Sequence, residues 1–103
     1  MDKIAALSEI LTADPTNAFA RYGLAIEHNT QGNTDLALTE FATLIHQNPD
    51  YVPGYQMSAQ TLAKLGRSDE AITRLKEGLA AAQRTKNAHA ASEMQGLLDE
   101  LQA

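Results

Sequence analysis

The chain repeats itself at a step of 34 residues. Gly32 and Gly66 stand at that interval, as do Asp35 and Asp69, Ala37 and Ala71, Leu38 and Ile72, Ala25 and Ala59, and Pro15 and Pro49. One coincidence at a fixed offset means little. Six at one offset, with matching residue character, define an internal repeat whose units bury their apolar faces only against neighbours.

The repeat unit is helical. Ile4, Leu7, Ile10 and Leu11 recur at helical spacing and predict a first helix over residues 2–13. Asp14-Pro15 stops it, because the residue before a proline avoids the helical region. Thr16 or Asn17 then caps a second helix that runs to about Gln31. This helix carries two stripes: Arg21, Leu24, Ala25 and His28 on one face, and Phe19, Tyr22, Ile26 and Asn29 on another. Two stripes imply neighbours over a wide arc, or one stripe left open for a ligand.

Gly32-Asn33 breaks the helix, and Thr34 is expected to cap a third, with Asp35 in its first turn and Leu38, Phe41, Leu44 and Ile45 as its stripe. Asn48-Pro49 ends it. The pattern then recurs: a fourth helix over residues 51–65 with Pro53 in its first turn, a Gly66-Arg67 break, and a fifth helix capped by Ser68. Ala71, Ile72, Leu75 and Leu79 form the stripe of the fifth helix, which runs to Arg84. After Lys86-Asn87, Ala91, Met94, Leu98 and Leu101 predict a sixth helix over residues 88–102. No strand alternation occurs. The expectation is an all-α chain of six helices with short turns and antiparallel neighbours.

The pattern resembles the tetratricopeptide repeat, whose signature is W-x2-L-G-x2-Y, then A-x3-F, then P. The first copy reads Arg21-x2-Leu24-Ala25-x2-His28, Ala37-x3-Phe41, Pro49. The second reads Tyr55-x2-Ser58-Ala59-x2-Leu62, Ala71-x3-Leu75, with Gln83 in place of the proline, so that the fifth helix is expected to overrun its usual end. The resemblance implies an α-solenoid of antiparallel helix pairs, a right-handed superhelix. It also implies one domain over residues 1–103: a half-repeat helix (1–15), two repeats (18–51 and 52–85) and a capping helix (86–103). Leu7, Ile10 and Pro15 lie one step before Phe41, Leu44 and Pro49 and assign the first helix to the second half of a repeat. The last helix is out of register: stepping on from Tyr55, Ser58 and Ala59 gives the polar His89, Ser92 and Glu93. Met1 and this cap are expected of a complete chain.

Proteins of this kind bind peptides or partner proteins in a concave groove lined by the first helix of each repeat. The resemblance therefore places a partner site on Phe19, Tyr22, Ile26 and Asn29 of the second helix, and on Gln56, Gln60, Ala63 and Lys64 of the fourth, beside Pro53. Apolar anchors beside amides suit an extended peptide or a helix. The alternative is that a second copy covers the same stripe, giving a homodimer, or that the last helix does. Some relatives clamp a chaperone's terminal carboxylate with lysine and asparagine; here Tyr22, Ile26 and Met57 occupy those positions, which argues against that ligand.

Other chemistry is poorly represented. No histidine pair at i, i+4, Gly-rich phosphate loop or nucleophile elbow occurs, so no enzyme, cofactor or metal site is expected. His28 reads as a packing histidine with a bonded ring nitrogen, and His46 and His89 as surface residues. Asp69-Glu70 fits a helix start, and Asp99-Glu100 a solvated face. A net charge of −5, from 13 acidic and 8 basic residues, disfavours nucleic acid. No secretion signal or membrane-spanning run is visible, and cysteine is absent, which points to the cytoplasm.

Overall fold

A computed structural model describes residues 2–103. Six α-helices follow one another: α1 (Lys3–Ala13), α2 (Ala18–Thr30), α3 (Thr34–Gln47), α4 (Val52–Lys64), α5 (Ser68–Arg84) and α6 (Ala88–Gln102). No strand occurs among the described residues. The period is literal in the backbone. Helices α2 and α4 begin and end one 34-residue step apart, and α3 and α5 begin one step apart. The longer α5 overruns α3, as the missing proline at Gln83 predicts.

Two kinds of turn punctuate the chain. Asp14 (φ −140°, ψ 82°) and Asn48 (φ −136°, ψ 74°) leave the helical region before Pro15 and Pro49, and each donates its N–H to the last turn of its helix (Ile10 O and Leu44 O, both 2.8 Å). The other kind is a left-handed C-terminal turn. Gly32 (φ +83°) donates to Asn29 O at 3.1 Å, while Asn33 donates to His28 O at 2.8 Å. Gly66 (φ +76°) and Arg67 repeat this on Ala63 O (3.0 Å) and Leu62 O (2.9 Å). This paired 5→2 and 6→1 bonding satisfies carbonyls that a helix end otherwise leaves bare.

The turn between α5 and α6 is a third copy, at Lys86-Asn87, with bonds to Gln83 O (3.2 Å) and Ala82 O (2.8 Å). It is out of phase with the 34-residue step, which is why α6 falls out of register. Lys86 there adopts φ +56°, the only positive φ outside glycine among the described residues. A side chain in that conformation costs about 1–2 kcal/mol. Lys86→Gly is therefore expected to stabilise the chain by about 0.5–1 kcal/mol once the extra freedom of unfolded glycine is set against it. A urea midpoint that stays put or falls would disprove the strain.

The tight turns also correct two expected caps. Thr34 and Ser68 are the first helical residues, not caps; Asn33 and Arg67 precede them, and neither supplies a side-chain cap bond. The reason is economy of chain. Asn33 and Arg67 each end one helix through their N–H groups and start the next through their carbonyls, which accept from Ala37 and Ala71 at 3.0 Å. Of the open choice between Thr16 and Asn17, Asn17 is the cap, accepting from Ala20 N at 2.8 Å. Asp2 and Asn87 cap α1 and α6 in the same way.

The chain divides into two compact units, Met1–Asn48 and Pro49–Ala103. In the first, α2 packs on both α1 and α3. Its core is Ala20, Leu24, Ala25, Ala37, Phe41 and Leu44, with Ile45 at the margin. Helix α1 buries no residue completely, and Leu7 meets α2 at Gly23.

In the second unit, α5 packs on α4 and α6, and α4 also touches α6. Because α5 is covered from two sides, its buried set is wider than the expected stripe. Ala71, Leu75, Gly78, Ala81 and Ala82 are buried, whereas Ile72 and Leu79 are only half-buried. On α6 the buried face is Ala90, Met94 and Leu98, with Ala91 and Leu101 half-buried, so the apolar face begins one residue earlier than expected.

Candidate functional site

The two stripes of α2 have different fates. Leu24 and Ala25 of the first are buried; Arg21 and His28 are half-buried. Arg21 occupies the position where the repeat signature asks for a large aromatic, and the structure shows how it substitutes. Its Nη2 donates to Pro15 O at 3.0 Å, and its Nη1 pairs with Glu40 Oε2 at 2.7 Å. One step later, the Tyr55 hydroxyl donates to Pro49 O at 2.6 Å. Different side chains at the same repeat position thus hold the same carbonyl of the turn before the helix. His28 Nδ1 is buried and makes no hydrogen bond, so the bonded ring nitrogen expected from the sequence is not this atom.

The second stripe is open. Phe19 is 75% exposed, more than any other large apolar side chain among the described residues. Tyr22, Ile26 and Asn29 are half-buried. The Tyr22 and Phe41 rings meet in a T-shaped pair, 6.4 Å between centroids and 60° between planes, so Tyr22 belongs partly to the core beneath it. On α4 of the second unit, Gln56 and Ala63 are half-buried, while Pro53, Gln60 and Lys64 are exposed. The stripe of α2 is therefore mainly apolar and that of α4 mainly polar.

Away from these stripes, Arg84 anchors the turn before α4. Its Nε lies 2.8 Å from Asp50 Oδ1, and its Nη2 donates to Pro49 O at 3.0 Å. The hydrogen bond to Asp50 holds the guanidinium above its ordinary pKa, against a smaller opposing effect of desolvation. Sequence reading did not single out this clamp, because its partners lie more than 30 residues from Arg84. His46 and His89 are exposed, and His89 Nε2 sits 2.9 Å from Glu93 Oε1. Among the described residues, no three of His, Cys, Asp and Glu gather where they could hold a metal ion. No helix among them is long and apolar enough to cross a membrane.

Paired helices recurring at 34 residues, each pair closed by a left-handed turn, define a helical repeat protein of the helix–turn–helix class. The Tetratricopeptide repeat family profile matches residues 28–94, and the chain belongs to that family. Solved structures agree. The solution structure of a tetratricopeptide repeat domain protein from Salinibacter ruber is 33% identical, with a TM-score of 0.80 over 85% of this chain and 89% of that one. A crystal structure of a tetratricopeptide repeat domain protein from the same organism gives 31% identity and a TM-score of 0.79 over 84% and 98%. A Bordetella parapertussis protein, at 24% identity and TM-score 0.81 over 98% of this chain and 88% of that one, shares the fold. No curated protein sequence matches the chain.

Proposed function

We propose that the chain is a non-catalytic interaction module that binds a peptide or a segment of a partner protein on the first helices of its repeats. The observation that carries this reading is Phe19, a phenylalanine 75% exposed on a stripe with Tyr22 and Ile26. An aromatic side chain left in water forfeits the roughly 1.5–3 kcal/mol that burial would contribute. A partner that covers it recovers that free energy. Asn29 on α2 and Gln56 and Gln60 on α4 supply amides, Lys64 a cation and Ala63 a small apolar surface for a partner's backbone and side chains. Family membership supports protein binding in general, and the absence of a catalytic arrangement in the sequence supports a scaffold.

Phe19 is the residue to test. Tyr22 touches Phe41, so its replacement would disturb packing as well as binding. Phe19→Ala is expected to weaken partner binding by about 30-fold, the loss of one aromatic anchor worth about 2 kcal/mol, with unchanged helicity by circular dichroism. Binding that survives Phe19→Ala would remove the stripe from the site. The homodimer reading rests on the same exposed stripe. Light scattering across a concentration series separates the two: a dimer that dissociates in Phe19→Asp assigns the stripe to a second copy.

A further inference from the structure

Building on that proposed role of the α2 stripe, we infer that its occupant is a segment apolar at its centre and basic at its flanks. The argument is charge complementarity within the first unit. Met1–Asn48 carries six carboxylates (Asp2, Glu9, Asp14, Glu27, Asp35 and Glu40) against two bases, Lys3 and Arg21. Both bases are already engaged. Lys3 Nζ lies 3.9 Å from Glu27 Oε2, and Arg21 Nη1 lies 2.7 Å from Glu40 Oε2.

Among the described residues of this unit, four carboxylates remain without a cation. Asp2 caps α1, and Asp14 accepts from Asn17 Nδ2 at 3.2 Å; Glu9 and Asp35 are exposed. The second unit is different, with seven acids against six bases over Pro49–Ala103. The negative excess therefore belongs to the unit that presents Phe19.

The stripe itself carries no charge, since it consists of Phe19, Tyr22, Ile26 and Asn29. Its helix is bracketed along the chain by uncompensated carboxylates. Asp14 is bonded to the residue that caps α2, and Asp35 lies in the first turn of α3, just past the turn that closes α2. Exposed charges act over a Debye length of about 8 Å at physiological salt, so these two bear on what lies at either end of the helix. They favour cations there and disfavour a second copy of this acidic unit.

Thirteen helical residues span about 20 Å. Basic side chains about six residues apart in an extended peptide, or about thirteen apart in a helix, match that span.

The test is a selection of random 16-residue displayed peptides on the immobilised full chain at low salt, with counter-selection on Phe19→Ala. Recovered peptides are then synthesised and titrated by calorimetry. The expected result is Phe19-dependent peptides with lysine or arginine on both sides of an apolar centre. Their affinity should fall steadily with added salt, and by about threefold to tenfold in the Asp14→Asn, Asp35→Asn double variant. Phe19-dependent peptides with neutral or acidic flanks, or affinities indifferent to the double variant, would overturn the charge inference and leave the stripe as the binding face. No Phe19-dependent enrichment at all, or a dimer that blocks selection and dissociates in Phe19→Ala, would overturn the peptide-binding stripe itself.

Discussion

Phe41→Ala is expected to lower the stability of the chain by about 3–5 kcal/mol, the usual cost of emptying a buried phenylalanine site. Phe41 has no exposed surface and is the only buried ring among the described residues of the first unit. The rest of that core is Leu24, Leu44, Ile45 and three alanines, Ala20, Ala25 and Ala37, whose short side chains cannot reach into the space a ring leaves. The edge contact with Tyr22 adds about 0.5–1.5 kcal/mol beyond area alone. Against a total of about 5–15 kcal/mol for an ordinary domain, the loss takes a large share.

Phe41→Leu should retain most of the stability, because leucine fills the same repeat position at Leu75, itself fully buried. Urea unfolding followed by circular dichroism measures both variants. An alanine variant within 1 kcal/mol of wild type, as an order of magnitude well below the cavity range, would show that the ring does not hold this core.

Gly78→Ala is the second large effect, and its sign separates local from tertiary causes. Alanine in a helix interior is worth about 0.5–1 kcal/mol over glycine, so helix propensity alone predicts a gain. The structure predicts a loss. A methyl group at Gly78 would lie 2.6 Å from Met94 Sδ and 2.7 Å from Tyr55 Cβ. Met94 is a flexible side chain and can give way. Tyr55 cannot easily follow, because its Cβ is tied to the α4 backbone and its hydroxyl is bonded to Pro49 O. Overpacking of this kind costs about 1–3 kcal/mol, which outweighs the propensity gain.

Gly96→Ala is the control. Gly96 lies in α6 with nothing within 4 Å of the added carbon, so there the propensity term stands alone and the melting temperature should rise by a few degrees. If both alanines stabilise, α4, α5 and α6 do not approach at Gly78 as described.

The two glycines show why part of this molecule was legible in its sequence and part was not. Both read as helical, and nothing local distinguishes them. One sits where two helices close on a third, the other faces open space. Arg21 makes the same point at the candidate site. As a letter it departs from the aromatic of the repeat signature; in the structure it reaches Pro15 O as Tyr55 reaches Pro49 O. The signature records a residue type, whereas the requirement is a donor long enough to reach that carbonyl. Thr34 and Ser68 failed as caps for a related reason. Residue preference marks a helix start to within a position or two, and a turn that ends one helix and begins the next on a single residue leaves no room for a separate cap.

By itself the sequence determined the six helices, their turns and their 34-residue step. Backbone preference is local: glycine takes the left-handed turn, a residue before proline avoids the helical region, and apolar periodicity marks which side chains share a face. It also placed Phe19, Tyr22, Ile26 and Asn29 together on one face of α2. Only the tertiary structure decided which of that helix's two apolar stripes is covered. Both stripes are apolar enough to be core, and the choice depends on α1 and α3 packing onto α2, which buries Leu24 and Ala25, draws Tyr22 against Phe41 and leaves Phe19 in water.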